Sequence, residues 1–263
     1  MSLARRNRER ILAQQQSASA PANMGSGLTT IAQAASGAAE RAAAQIQLRL
    51  THDLRRLKEI QSIEAKIAAK REMIGEYAAW VGGLLELGQR GSIGVAEDVL
   101  PTIMVWAIDT ADWSYALRLA EHVLRHEIPL PARYQRAAPA LLVEEVAEAA
   151  LKLQAKGEAF PLDVLEQVEA LTADADMHDE IRAKLMKAIG TELARLADAT
   201  KPGTAAFVDA AERALVPLRR AQDLHGRAGA KMTIQRLQKA IANAAKEQAA
   251  LAAQEQAGTA PAA

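Results

Sequence analysis

The 263 residues contain no cysteine. Disulfides, zinc-thiolate centres and a cysteine nucleophile are therefore excluded, and the composition fits a reducing compartment. Aromatic residues are scarce, at 3%. Sheets draw heavily on aromatic and β-branched side chains, so that scarcity argues against them. No run of about 18 apolar residues is present, and residues 1–20 lack the apolar core of a signal peptide. A soluble chain that is not exported and makes no membrane contact is expected. Two motifs are also missing. No glycine-rich loop ends in Lys-Ser or Lys-Thr, the nearest phrase being Ala155-Lys156-Gly157-Glu158, and no Gly-x-Ser-x-Gly elbow occurs. The sequence shows no ATPase motor or serine hydrolase of its own.

What is present is alanine and leucine at helical spacing, and the expected class is all-α. The chain is long enough to bury a core without covalent staples. Its net charge of zero hides a segregation. Residues 1–75 hold twelve Lys/Arg against six Asp/Glu, residues 76–200 hold eleven against twenty-one, and residues 201–263 hold nine against five. Basic ends around an acidic middle suit either a grip on a polyanion or contact between one subunit's ends and another's middle.

Residues 1–37 carry Arg5, Arg6, Arg8 and Arg10 and then run through Gln, Ala, Ser and Gly, a composition that reads as a flexible basic arm. Residues 38–75 read as one long amphipathic helix. Ile46, Leu50, Leu54, Leu57, Ile60, Ile63 and Ile67 recur every three or four positions, the seam of a coiled coil or bundle and a place for oligomerisation. Residues 76–250 read as an acidic domain of stacked helical hairpins with tetratricopeptide-like character and basic C-terminal helices, followed by a disordered tail at 251–263. Within it, Gly82 and Gly83 suggest a close helix approach or a kink, Asp98 and Asp112 suggest N-caps, and residues 128–139, with three prolines, suggest a loop.

Candidate chemistry is thin. His122 and His126 stand four residues apart on one helix, a spacing compatible with a metal, but no HExxH pattern or third ligand accompanies them and packing is the simpler reading. Asp174, Asp176, Asp179 and Glu180 form an acidic cluster that superficially suits a magnesium-dependent nuclease. A helix start explains it more simply, with Asp176 as N-cap and Asp179 and Glu180 in the first turn. Trp80, Trp106, Trp113 and Tyr115 lie among apolar neighbours and are expected to pack in the core rather than stack on bases. No cofactor is implied.

Five phrases together resemble the small terminase subunit family of tailed phages, of the type found in peduovirus-like temperate phages: WVGGLLELG (80–88), MVWAIDTADWSYALRLAEHVL (104–124), EEVAEAA (144–150), TADADMHDEIRAKLMKAIG (172–190) and RAGAKMTIQRLQKAI (227–241). The resemblance spans about residues 45–245. It implies a subunit that recognises the packaging site on double-stranded viral DNA, recruits the large subunit that holds the ATPase and nuclease, assembles into a homo-oligomeric ring, and works in the host bacterial cytoplasm. Members are often labelled the terminase endonuclease subunit, and no residue here matches a catalytic motif. Together with the basic N-terminal segment, the resemblance nominates Arg5, Arg6, Arg8, Arg10, Arg41, Arg49, Arg55, Arg56, Lys58, Lys66, Lys70 and Arg71 as phosphate contacts, against the plainer reading of a solvated helix face. An endonuclease acting through Asp174–Glu180 and a protein-only scaffold are the alternatives.

Overall fold

A computed structural model describes residues 26–89 and 98–258, and every element among them is helical. In chain order these are α1 (Ser26–Glu59), α2 (Ile63–Ile74), a 3-10 turn (Gly75–Tyr77), α3 (Ala78–Gln89), α4 (Val99–Asp109), α5 (Trp113–Arg125), α6 (Ala138–Gln154), α7 (Leu162–Leu171), α8 (Asp179–Asp198), α9 (Ala205–Leu224) and α10 (Lys231–Gly258). The chain divides into two units, residues 1–51 and residues 52–263. The first holds the greater part of α1, and the second holds everything from His52 onward.

The expected single helix over 38–75 is broken. Ser62 leaves helical geometry, and its hydroxyl accepts from the Ala65 N–H at 3.3 Å, so it caps a new helix rather than continuing the old one. The last turns of α1 and the body of α2 then form a hairpin. Arg56 reaches Glu72 at 3.3 Å, and the Tyr77 hydroxyl donates to Asp53 at 2.7 Å. The apolar spacing runs on through Ile60, Ile63 and Ile67 even though the chain reverses there. Leu50 and Leu57 are buried, Leu54, Ile60 and Ile67 are half-buried, and Ile63, at the reversal, is 77% exposed. Helix also extends beyond the expected limits at both ends. It begins at Ser26, inside the segment read as an arm, and α10 continues to Gly258, inside the segment read as a tail.

Helix α4 is the centre of the second unit. Val99 to Ile108 are all buried, as expected of a helix that is apolar on every side. It packs against α2, α3, α5 and α6. Its joint to α5 is fixed by Asp112, whose carboxylate accepts from the Tyr115 N–H at 3.2 Å, and α5 then buries Ala116, Leu117, Leu119, Ala120 and Val123. Asp98 sits before α4 as expected, but its side chain makes no capping bond; its carbonyl accepts from the Thr102 N–H instead.

Helices α8 and α9 form the most extensive pairing. Gly190 makes that approach possible, because a Cβ there would stand 2.5 Å from Leu218 Cγ. Alanines continue the interface: Ala194, Ala197, Ala211 and Ala214 share a buried cluster with Phe207, Leu215, Leu218 and, from α10 and the residue before it, Leu237 and Ala230. Packing order does not follow chain order. Helix α6 lies more extensively on α8 than on its predecessor α5, so the tetratricopeptide-like stacking suggested by the sequence finds no support in the arrangement.

Candidate nucleic-acid interface

Of the twelve cations nominated from sequence, Arg5, Arg6, Arg8 and Arg10 lie outside the described residues. Arg41 and Arg49 are exposed on α1. The other six belong to the α1–α2 hairpin, which sorts them by what each side chain touches. Lys70 is half-buried and paired with Asp109, and Arg71 donates to the Thr110 carbonyl at 3.3 Å. Both residues fasten α2 to the end of α4 and are spent on the fold. Arg56 is exposed but ion-paired with Glu72 across the hairpin. Arg55 and Lys58 are exposed on the last turns of α1 and Lys66 is half-buried on α2, and no carboxylate among the described residues pairs with any of the three. Of the six hairpin cations, those that project into solvent without a carboxylate partner among the described residues are Arg55 and Lys58, near the reversal.

The Lys70–Asp109 pair has an acidic neighbour. Although Glu145 as a residue is exposed, the crowding around its carboxyl, reinforced by the charges of Asp109 and Glu148, raises its pKa; Arg136 and Lys70 oppose the shift only in part. A carboxyl with a raised folded-state pKa binds its proton more tightly folded than unfolded. Its contribution is therefore favourable below the ordinary carboxylate range and is lost as pH rises through the folded value. Glu145→Gln is expected to raise Tm slightly at pH 7, on the order of 1 °C given the exposure, and to leave it unchanged near pH 4, as paired thermal melts would show.

The other candidates resolve differently. The His122 and His126 rings lie against each other with centroids 4.5 Å apart and planes inclined at 55°. Burial, with His126 and Arg125 adding positive charge nearby, holds the His122 imidazole below its ordinary range. The pair packs against α3, where a Cβ on Gly88 would collide with the His122 imidazole. The close approach expected at Gly82 and Gly83 occurs here instead, since a Cβ at either of those positions would meet nothing within 4 Å.

Asp176 does not cap α8. His178 holds the cap position, without a side-chain bond, and Asp176 is exposed. The loop before α8 is held by Arg182, which donates to the Thr172 and Ala175 carbonyls at 2.8 and 2.9 Å. Asp179 and Glu180 do occupy the first turn. The cluster diverges rather than converging, with Asp176 facing a cleft shared with Arg136 and His178 and Glu180 facing another that holds Lys184 and Lys187. Among the described residues no three His, Asp or Glu side chains come together as a metal ion requires.

The aromatic residues are largely structural. Trp106 is buried, and Trp113 is half-buried against Phe160 at 5.2 Å. Tyr115 is half-buried beneath the Arg118 guanidinium, and Trp80 is half-buried in α3. The basic segment 201–263 holds none of the residues nominated from the sequence, although its charge count was a signal. Lys187, His225 and Arg227 meet in one cleft that residue order alone does not reveal.

No helix among the described residues is long and apolar enough to cross a membrane. No solved structure matches the chain. Residues 47–180 match the family model described as phage small terminase subunit. Over 197 residues the chain is 39% identical to the "Terminase, endonuclease subunit" of Escherichia phage P2, an alignment covering 75% of this chain and 73% of that protein. The matched residues run from within α1 to the start of α8, and so take in the basic hairpin and the buried α4 core; the chain belongs to the phage small terminase subunit family.

Proposed function

We propose that this chain is the DNA-recognising subunit of a phage terminase, which grips the packaging site on viral duplex DNA through the α1–α2 hairpin and recruits the large ATPase and nuclease subunit in the host bacterial cytoplasm. The observation that carries this reading is the pair of exposed cations Arg55 and Lys58 beside the chain reversal, with no carboxylate partner among the described residues and within the family-matched stretch. Neighbouring Lys70 and Arg71 are engaged with the fold and hold the hairpin still, so the exposed pair is presented on a rigid support. Assembly of several copies would repeat the contact around one duplex and turn weak phosphate binding into avid binding. The name of the phage P2 relative fits cutting carried out by the assembled terminase, with this subunit supplying the site.

Replacing Arg55 and Lys58 together with alanine is expected to weaken binding to a packaging-site duplex by roughly 10- to 100-fold near 0.1 M salt, and to flatten the dependence of log affinity on log salt by about two contacts. Fluorescence anisotropy over a salt series measures both. Unchanged affinity and slope would remove the hairpin from the DNA interface.

A further inference from the structure

Helix α8 carries three cations within six residues, and the fold accounts for two of them. Arg182 closes the preceding loop, and Lys184 bridges Glu144 at 3.1 Å and Glu148 at 2.7 Å. Lys187 is also half-buried, yet no carboxylate or carbonyl among the described residues accepts from it. A partly desolvated ammonium without a counter-charge is unfavourable, and folds normally supply a partner. Here the fold instead brings a guanidinium and an imidazole. The turn between α9 and α10 places Gly229, at φ +77°, so close that a Cβ on it would lie 3.2 Å from Lys187 Nζ. The same turn delivers His225 and Arg227. Lys184, Lys187, His225 and Arg227 line one cleft of about 190 Å³ over an aliphatic floor that includes Leu151. Glu180 is the carboxylate on its wall, and it forms no ion pair among the described residues.

We infer that this cleft binds a phosphate group of the DNA backbone, as a second anchor separate from the α1–α2 hairpin. A guanidinium fork beside a point-charge ammonium and an imidazole donor is a donor set suited to phosphate oxygens. Size narrows the ligand further. Pockets that enclose a small organic ligand occupy about 300–1,000 Å³, and at about 190 Å³ this cleft has room for a phosphate group. A phosphate presented on a DNA chain would leave its base and sugar outside the cleft. The inference rests on the reading of this chain as a DNA-handling subunit. The basic side chains of the cleft, Lys184, Lys187, His225 and Arg227, lie beyond residues 47–180, the stretch that the family model matches.

The test uses the full-length protein with Lys187→Ser and Arg227→Ser combined, titrated with fluorescent duplex across a salt series beside the Arg55→Ala/Lys58→Ala variant, with melting curves confirming the fold. DNA affinity is expected to fall about tenfold or more, with a salt slope shallower by one to two contacts. Lys187→Arg should retain most of the affinity. If the double variant melts early, Arg227→Ser alone, at an exposed residue with no partner among the described residues, is expected to show a smaller loss in the same direction. A loss in the cleft variant with normal binding by the hairpin variant upholds this site while removing the hairpin. Normal binding by the cleft variants overturns the inference and leaves the hairpin reading standing. Millimolar inorganic phosphate that raises the wild-type Tm but not that of the variant, with DNA affinity unchanged, would make this a free-anion site and overturn the DNA assignment. Failure of the wild type to bind duplex at low salt would overturn both readings.

Discussion

Trp106→Ala is expected to lower the stability of the second unit by about 3–5 kcal/mol, the usual cost of emptying a large aromatic site in a packed core. Trp106 is 2% exposed and meets the ring of Tyr77 edge-on, with centroids 6.0 Å apart and planes at 88°. Tyr77 is itself fully buried, and its hydroxyl donates to Asp53 near the end of α1. The indole therefore braces the residue that holds the α1–α2 hairpin closed. Its loss removes its own contacts and loosens a second aromatic whose polar end has a fixed partner. Trp106→Phe keeps an edge for Tyr77 and should cost less than half as much. Urea unfolding would read the effect as a lower midpoint at an unchanged slope. A loss below about 1 kcal/mol would mean that the site collapses around the cavity, contrary to the close packing described.

Which features were legible in the sequence depended on whether their cause is local. The start of α5 could be read at Asp112, because an N-cap is set by residues three apart. Trp106 could be assigned to the core because its neighbours on every side of α4 are apolar. The break between α1 and α2 was hidden, since Ile60, Ile63 and Ile67 keep helical spacing straight through the reversal; only Ser62 hinted at a new cap. The place of close helix approach is hidden in the sequence for a similar reason. Gly82 and Gly83 look alike in sequence to Gly88, and what distinguishes Gly88 is the pair of imidazoles arriving from α5. Asp176 was the obvious cap, yet the loop is closed by Arg182, a residue inside the helix that reaches back to two carbonyls. Among the basic residues, sequence could count charge but could not tell Lys70, paired with Asp109, from Arg55, which faces solvent. That distinction decides which cations are left for the proposed DNA contact, and it depends on residues thirty-nine positions apart.

Glu192 makes the same point with a larger expected consequence. In the sequence it is one more acid on an amphipathic helix, but in the structure it is 1% exposed. Its carboxylate accepts from the buried Phe160 N–H at 3.3 Å, and from Arg195 Nε and Nη2 at 2.7 and 2.6 Å, with Gln154 Nε2 at 3.5 Å. Phe160 opens the approach to α7 and Gln154 ends α6, so one carboxylate on α8 fixes the joint between two other helices. Arg195 is 45% exposed, which leaves its guanidinium able to turn to water. The main loss on truncation is therefore the orphaned Phe160 amide and the space left beside it, not an isolated buried cation. Glu192→Ala is expected to cost about 3 kcal/mol, combining a buried unsatisfied donor with a lost charge-assisted bond. Glu192→Gln should cost only about 1 kcal/mol, because an amide oxygen can still accept from Phe160. Hydrogen exchange gives a readout that separates this cause from simple cavity formation. The Phe160 amide should lose protection in the alanine variant and keep it in the glutamine variant, whereas a pure packing effect would make the two variants alike.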